Sequence, residues 1–250
     1  MVVNKIFVDI LVSFVALVFG SFVLCTSGFG IGLAASPFML LAIDAKTVVV
    51  IINTVSLAAF ALLILQNRNK INYREMCLPI AAGILGVPVG LVFFGRMNPE
   101  ILSIFIGTMI VILGFFAKYL NRQIINKNTP LFIVVSFIVG GLLTSTGIGG
   151  PLMALVALAR GWTKDTIRGS LPLFYLFVEG TAVAGYSLTG RLDRSTLTLT
   201  IVGLVPVLIG FFLASAFAKK VPETTYRKLI VVVIITAGLL VIFKEASGLA

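Results

Sequence analysis

Residues 10–43 run for 34 positions without a charged side chain, and in the middle of that run the chain reads TSGFGIGLAASP. Such a glycine cluster opposes what a continuous membrane-spanning helix needs, because each glycine weakens the helix and frees backbone polar groups. A second cluster, TSTGIGGP at 144–151, lies inside another charge-free run of 32 residues, 128–159. Freed N–H and C=O groups at membrane depth are tolerable only where they line a cavity or are buried in protein. Interrupted apolar segments at matching places in two halves are the sequence mark of a transporter's substrate site.

Composition supports a membrane setting. Hydrophobic residues make up 59% of the chain and charged residues 11%, against roughly 25% charged in soluble domains. There is no histidine, which removes the commonest metal ligand and the usual proton shuttle. Cys25 and Cys77 have no CxxC spacing, so they read as buried free thiols, with no metal or cofactor site expected. The formal charge of +10 is spread over short loops without a basic face. It fits the positive-inside bias and argues against nucleic acid as a partner. Lys5 and the apolar run after it resemble a signal peptide, but the run continues past a 7–15-residue signal core, so the segment is expected to be retained. No catalytic residues are expected. There is no GxSxG or Walker-type loop and no acid cluster within the apolar runs, so the chain does not read as an enzyme.

After the opening stretch come apolar segments at 47–67, 76–95 and 101–117, of 21, 20 and 17 residues, each near the ~20 needed to cross a bilayer. The polar interval 118–130 divides the chain. The second half then repeats the layout at 128–159, 166–188, 195–218 and 229–243. Gly28 matches Gly147 at an offset of 119, Lys70 matches Arg191 at 121, the NPE at 98–100 matches the VPE at 221–223 at 123, and Gly114 matches Gly238 at 124. A slowly drifting offset indicates duplication, with repeats 1–120 and 121–250.

Charge counting addresses orientation. If each glycine-broken stretch is a helical hairpin, or two short crossings, followed by three transmembrane helices, the halves are inverted. One side then holds 13 of the 19 Lys and Arg and the other 6. If each stretch is a single span, the halves are parallel and the split is 10 to 9. The positive-inside rule favours inversion, with the 118–130 linker cytoplasmic and both termini outside. The expected fold is an all-α membrane protein of two inverted-topology repeats.

A helix that starts just after a glycine break directs its free N–H groups and positive dipole end at the break, a site for a small anion. The arms are expected to start near Leu33 and Leu152, with Pro37 and Pro151 near their first turns. The candidate substrate-binding residues of the first break are Gly28, Phe29, Gly30, Ile31 and Gly32. Those of the second are Gly147, Ile148, Gly149 and Gly150. Asn53 and Ser170, 117 apart, stand in equivalent helices as hydrogen-bond donors to an anion or as interhelical bonds worth about 0.6 kcal/mol each. Glu179, the one acid deep in an apolar run, is a candidate coupling site for a proton or cation. Arg168 lies eleven residues before it, about 16 Å along a helix, too far to pair directly. The other acids sit at run ends, as interfacial residues do. Close helix packing through Gly28 and Gly32, in a membrane accessory or assembly protein that transports nothing, is the alternative; a channel is a third option.

At these residues the chain resembles the TauE/SafE family of anion permeases, the sulfite exporter family, whose members carry a duplicated G-x-G-G-G-x4-P-like motif. The first copy, GFGIGLAASP, matches at Gly28, Gly30, Gly32 and Pro37, with Ile31 in place of the middle glycine. The second, GIGGPLMALV, matches at Gly147, Gly149 and Gly150, with Pro151 in place of the third glycine and Val156 in place of the proline. Pro151 removes one N–H donor from the second break. The resemblance implies a secondary transporter in the cytoplasmic (inner) membrane, carrying small anions such as sulfite, sulfonates or related organic anions.

Overall fold

The computed structural model describes residues 2–28, 30–117, 129–217, 239 and 242–243. Phe29, the linker at 118–128 and most of the last expected span lie outside the described residues. The elements are α1 (Val2–Ser27), α2 (Ile31–Met39), α3 (Ala45–Asn67), a 3-10 turn (Arg68–Lys70), α4 (Tyr73–Arg96), α5 (Pro99–Ala117), α6 (Thr129–Thr146), α7 (Gly150–Ala159), α8 (Lys164–Leu188) and α9 (Arg194–Phe217). Among the described residues, five helices are long and apolar enough to cross a membrane: the windows Ile10–Ser27, Ala45–Lys70, Tyr73–Arg96, Asp165–Leu188 and Arg194–Ala216. Leu85 on α4 and Phe212 on α9 are 68% and 64% exposed, as a lipid-facing surface requires.

Short polar side chains set several helix starts. Asp44 accepts the Thr47 N–H at 3.0 Å to begin α3, and Asn72 accepts the Glu75 N–H at 3.3 Å to begin α4. Thr163 accepts from Thr166 at the head of α8, and Asp193 from Thr196 at the head of α9. Each satisfies a backbone donor that a helix start leaves open.

Helix directions follow from the contacts. On α3 and α8, Asn53 meets Tyr186, Phe60 meets Tyr175, and Asn67 meets Gly169. Numbers rise on one as they fall on the other, so these two run antiparallel. On α4 and α6, Gly83 faces Gly140 and Gly90 faces Thr144; they run parallel. Gly83 also faces Phe174 and Gly185 faces Leu91, so α4 and α8 run parallel. Leu17 touches Gly203 and Ser21 donates to the Val207 carbonyl at 2.7 Å, making α1 and α9 parallel. The α4–α6 seam is where glycines serve close packing: a Cβ on Gly86 or Gly140 would collide with backbone of the facing helix.

After each break the chain doubles back. Ile31 and Ala35 of α2 lie against Gly20 of α1, and Phe38 packs edge-on to Phe19 with ring centroids 5.9 Å apart. Gly149 lies against Leu143 and Val139, and Met153 of α7 reaches Ser136 of α6. The arms begin at Ile31 and Gly150, two residues ahead of the expected starts. Pro151 is therefore in the first turn of α7, whereas Pro37 sits inside α2, past the first turn. Of the two cysteines expected to be buried, Cys25 is buried but Cys77 is exposed, because it lies on the outward side of the first turns of α4.

Candidate functional site

Both breaks begin the same way. Gly28 (φ 85°) and Gly147 (φ 70°) adopt left-handed backbone, which costs an L-residue about 1–2 kcal/mol and glycine little. Each closes its helix with an N–H bond to the carbonyl four residues back: Gly28 to Leu24 at 2.7 Å and Gly147 to Leu143 at 2.8 Å. Gly30 (φ 99°) then turns the chain into α2.

Side chains of α3 and α8 bind the carbonyls at these helix ends. Arg168 of α8 donates to the Cys25 carbonyl at 2.8 Å, a cation at the negative end of α1. Its Cα and Cγ pack against Gly28, leaving no room there for a Cβ. Asn53 of α3 donates to the Leu143 carbonyl at 2.9 Å and to the Tyr186 hydroxyl at 3.0 Å. Tyr186 in turn donates to the Thr144 carbonyl. A charged side chain thus caps the first break and an uncharged pair the second.

The two breaks touch. Gly32, in the first turn of α2, lies directly against the Gly147 carbonyl. Beside this contact is a small cavity of about 10 Å³, lined by residues 30–33 and by Gly147, Ile148, Gly150 and Pro151, with Leu143, Phe60, Tyr175 and Glu179 completing the wall. That is room for roughly one water. The first N–H bond of α2 is Ala34 to Gly30, so the N–H groups of Ile31, Gly32 and Leu33 precede the helical ladder. In α7 the first is Met153 to Gly149; Gly150 and Leu152 precede it, and Pro151 has no N–H to offer. The first arm is the richer in donors.

Of the residues singled out by sequence, Gly30, Ile31, Gly32, Gly147, Ile148, Gly150 and Glu179 meet at this cavity. Gly28 stands behind it against Arg168, and Gly149 packs into Leu143 and Val139. Asn53 is buried beside Gly147, but both amide hydrogens are taken; only its Oδ1 is unpartnered. Ser170 lies elsewhere, its hydroxyl accepting the Asn72 N–H at 2.9 Å in the α3–α4 turn. Glu179 is 3% exposed and its Oε2 has no hydrogen-bond partner. Tyr175, one turn before it, escaped the sequence reading; it also binds the Gly150 carbonyl, at 3.1 Å. The i, i+4 spacing from Glu179 is the signal that pointed to it.

Away from the breaks, Glu75 at the head of α4 accepts from Arg160 at 3.0 Å and from Trp162 at 3.2 Å. The Arg160 guanidinium lies 4.8 Å above the Phe132 ring. This cluster ties the α7–α8 turn to the α3–α4 turn.

No curated protein and no solved structure matches the chain. The family model for Sulfite exporter TauE/SafE matches residues 12–241. With its helices, its paired glycine breaks and a match over nearly its whole length, the chain belongs to the sulfite exporter TauE/SafE family of membrane transport proteins.

Proposed function

We propose that this multi-pass membrane protein is a secondary transporter of small anions, with sulfur oxyanions such as sulfite and sulfonates the foremost substrates. The anion is held between the two glycine breaks. The observation that carries this reading is the meeting of both breaks at one cavity, with the N-terminal turns of α2 and α7 in its wall. The leading N–H groups of α2 and α7, at two positive helix ends, attract an anion without specifying its shape. Asn53 and Tyr186, with Arg168, act as positioning residues that hold the helix ends behind the site.

The halves are proposed to be inverted repeats. Helix directions support this: α1 runs with α9, which is joined to α8 by a short turn, while α6 runs with α4, and α4 with α8. The first helices of the two halves then oppose one another, as do the equivalent helices α3 and α8. Inverted halves supply alternating access by rocking one against the other around a fixed site. A polyatomic anion needs more than the present space, so loading requires the Gly32–Gly147 contact to open.

Purified protein in proteoliposomes should take up radiolabelled sulfite saturably, with sulfonates competing. The small cavity is the feature that favours the accessory-protein reading. Absence of flux for sulfite and every small sulfonate would decide for that reading.

A further inference from the structure

Glu179 is the only buried carboxyl, lysine or arginine side chain among the described residues, and it shares the cavity with both helix N-termini. The groups facing it are few. On its own helix are Tyr175 and Tyr186, both fully buried. From α3 comes Phe60, from α2 Ile31 and Leu33, from α6 Leu143, from the second break Gly147, and from α7 Gly150 and Pro151. Helix α4 presents Gly83 to the neighbouring Phe174 and Val178. The nearby cations are engaged elsewhere: Arg168 on the Cys25 carbonyl, Arg160 on Glu75, and Lys46 near the Gly95 carbonyl and over Phe94. A carboxylate and a bound anion would therefore share one dry space with no counter-charge between them, an arrangement that like charges at close range do not sustain.

We infer that Glu179 couples transport to protons, because the anion enters this cavity only when the Glu179 carboxyl is protonated. This rests on the transport reading above and adds to it a co-substrate. The proton comes from water on the loading side and forms the O–H of the acid, which donates to an anion oxygen while the helix N–H groups hold the others. On release, anion and proton both leave to water on the far side. The carboxylate then takes the anion's place before the N-termini of α2 and α7 for the return. The cavity carries one negative charge in each direction of travel, so one proton crosses with each monovalent anion and the cycle is electroneutral.

The test uses isethionate, a sulfonate that stays singly charged across the working pH range, since sulfite titrates near neutrality and would carry its own proton. Proteoliposomes of the full chain are loaded with a pH-sensitive dye, and potassium with valinomycin sets the membrane potential. Tracer and dye are read together. The expected result is proton entry with isethionate, one for one, unchanged by membrane potential. In Glu179→Gln, whatever isethionate still crosses should carry no proton with it. Wild-type tracer entry without a dye signal, tracer entry driven by sodium instead, or a proton signal retained in Glu179→Gln overturns the inference. A lack of tracer flux in the wild type overturns the transport reading instead. If Glu179→Gln does not fold, the wild-type proton-to-anion ratio decides alone.

Discussion

Replacing Gly32 with alanine is the most informative single perturbation, because its effect can be worked from the geometry. Gly32 lies within α2 at ordinary φ, so alanine meets no backbone strain there. Its Cβ would sit 1.9 Å from the Gly147 carbonyl oxygen, where ordinary contact begins at 3.4 Å. The obstacle is backbone of the other half, and no side-chain rotation relieves it. Overpacking of this kind costs about 1–3 kcal/mol, while alanine in place of glycine inside a helix returns about 1 kcal/mol. The clash wins, and the two breaks are pushed apart at the point where the site is formed. Gly180→Ala is the control: it is next to Glu179, yet its Cβ meets nothing within 4 Å, so helix propensity should leave stability equal or higher. Thermal denaturation in detergent and initial sulfite uptake would be measured on both. A lower midpoint and lost uptake for Gly32→Ala alone is the expected outcome. Gly32→Ala matching Gly180→Ala in both would refute the contact between the breaks.

Tyr186→Phe removes the hydroxyl that binds the Thr144 carbonyl and accepts from Asn53; it should lower the denaturation midpoint by the equivalent of about 0.6–1.7 kcal/mol, and no change would mean that the end of α6 is not held there. Glu75→Ala leaves the Arg160 guanidinium, whose Nε and Nη1 are already unpartnered, without its carboxylate; a loss of about 1–3 kcal/mol is expected, read by the same melt, with a smaller loss for Glu75→Gln. Hydrogen bonding by Thr196, then by Ser195, holds the Asp193 carboxyl below its ordinary range. A depressed value means stability present above the unfolded-state value and lost as pH falls through the folded one, so Asp193→Ala should flatten the acid limb of the stability profile below about pH 4.

The glycine breaks, their pairing and the helical character of the chain were legible because each leaves a direct mark on sequence: charge-free runs, glycine at left-handed positions, and a repeated spacing. The environment of individual side chains was not. Asn53 and Ser170 stand at nearly the repeat offset, yet one reaches a break and the other a turn. Successive residues point about 100° apart around a helix, so an offset that drifts by a few residues fixes the helix but not its face. Arg168, two residues before Ser170, is the one that reaches the first break. That Asn53 makes interhelical bonds, one of the two readings open to it, is likewise not decided by sequence, since its acceptors, the Leu143 carbonyl and the Tyr186 hydroxyl, lie 90 and 133 residues away. Pro37 stands past the first turn because α2 begins at Ile31, directly after the left-handed Gly30.

The central claim is that an anion occupies the space between the breaks. A structure determined with selenite, the heavier analogue of sulfite, locates the bound oxyanion by the scattering of its selenium. The account predicts one selenium site between Ile31–Leu33 of α2 and Gly150 of α7, within reach of their N–H groups and of Glu179. Selenium bound only elsewhere, at the Arg160 cluster for instance, or a Gly32–Gly147 contact still closed at saturating selenite, would contradict it.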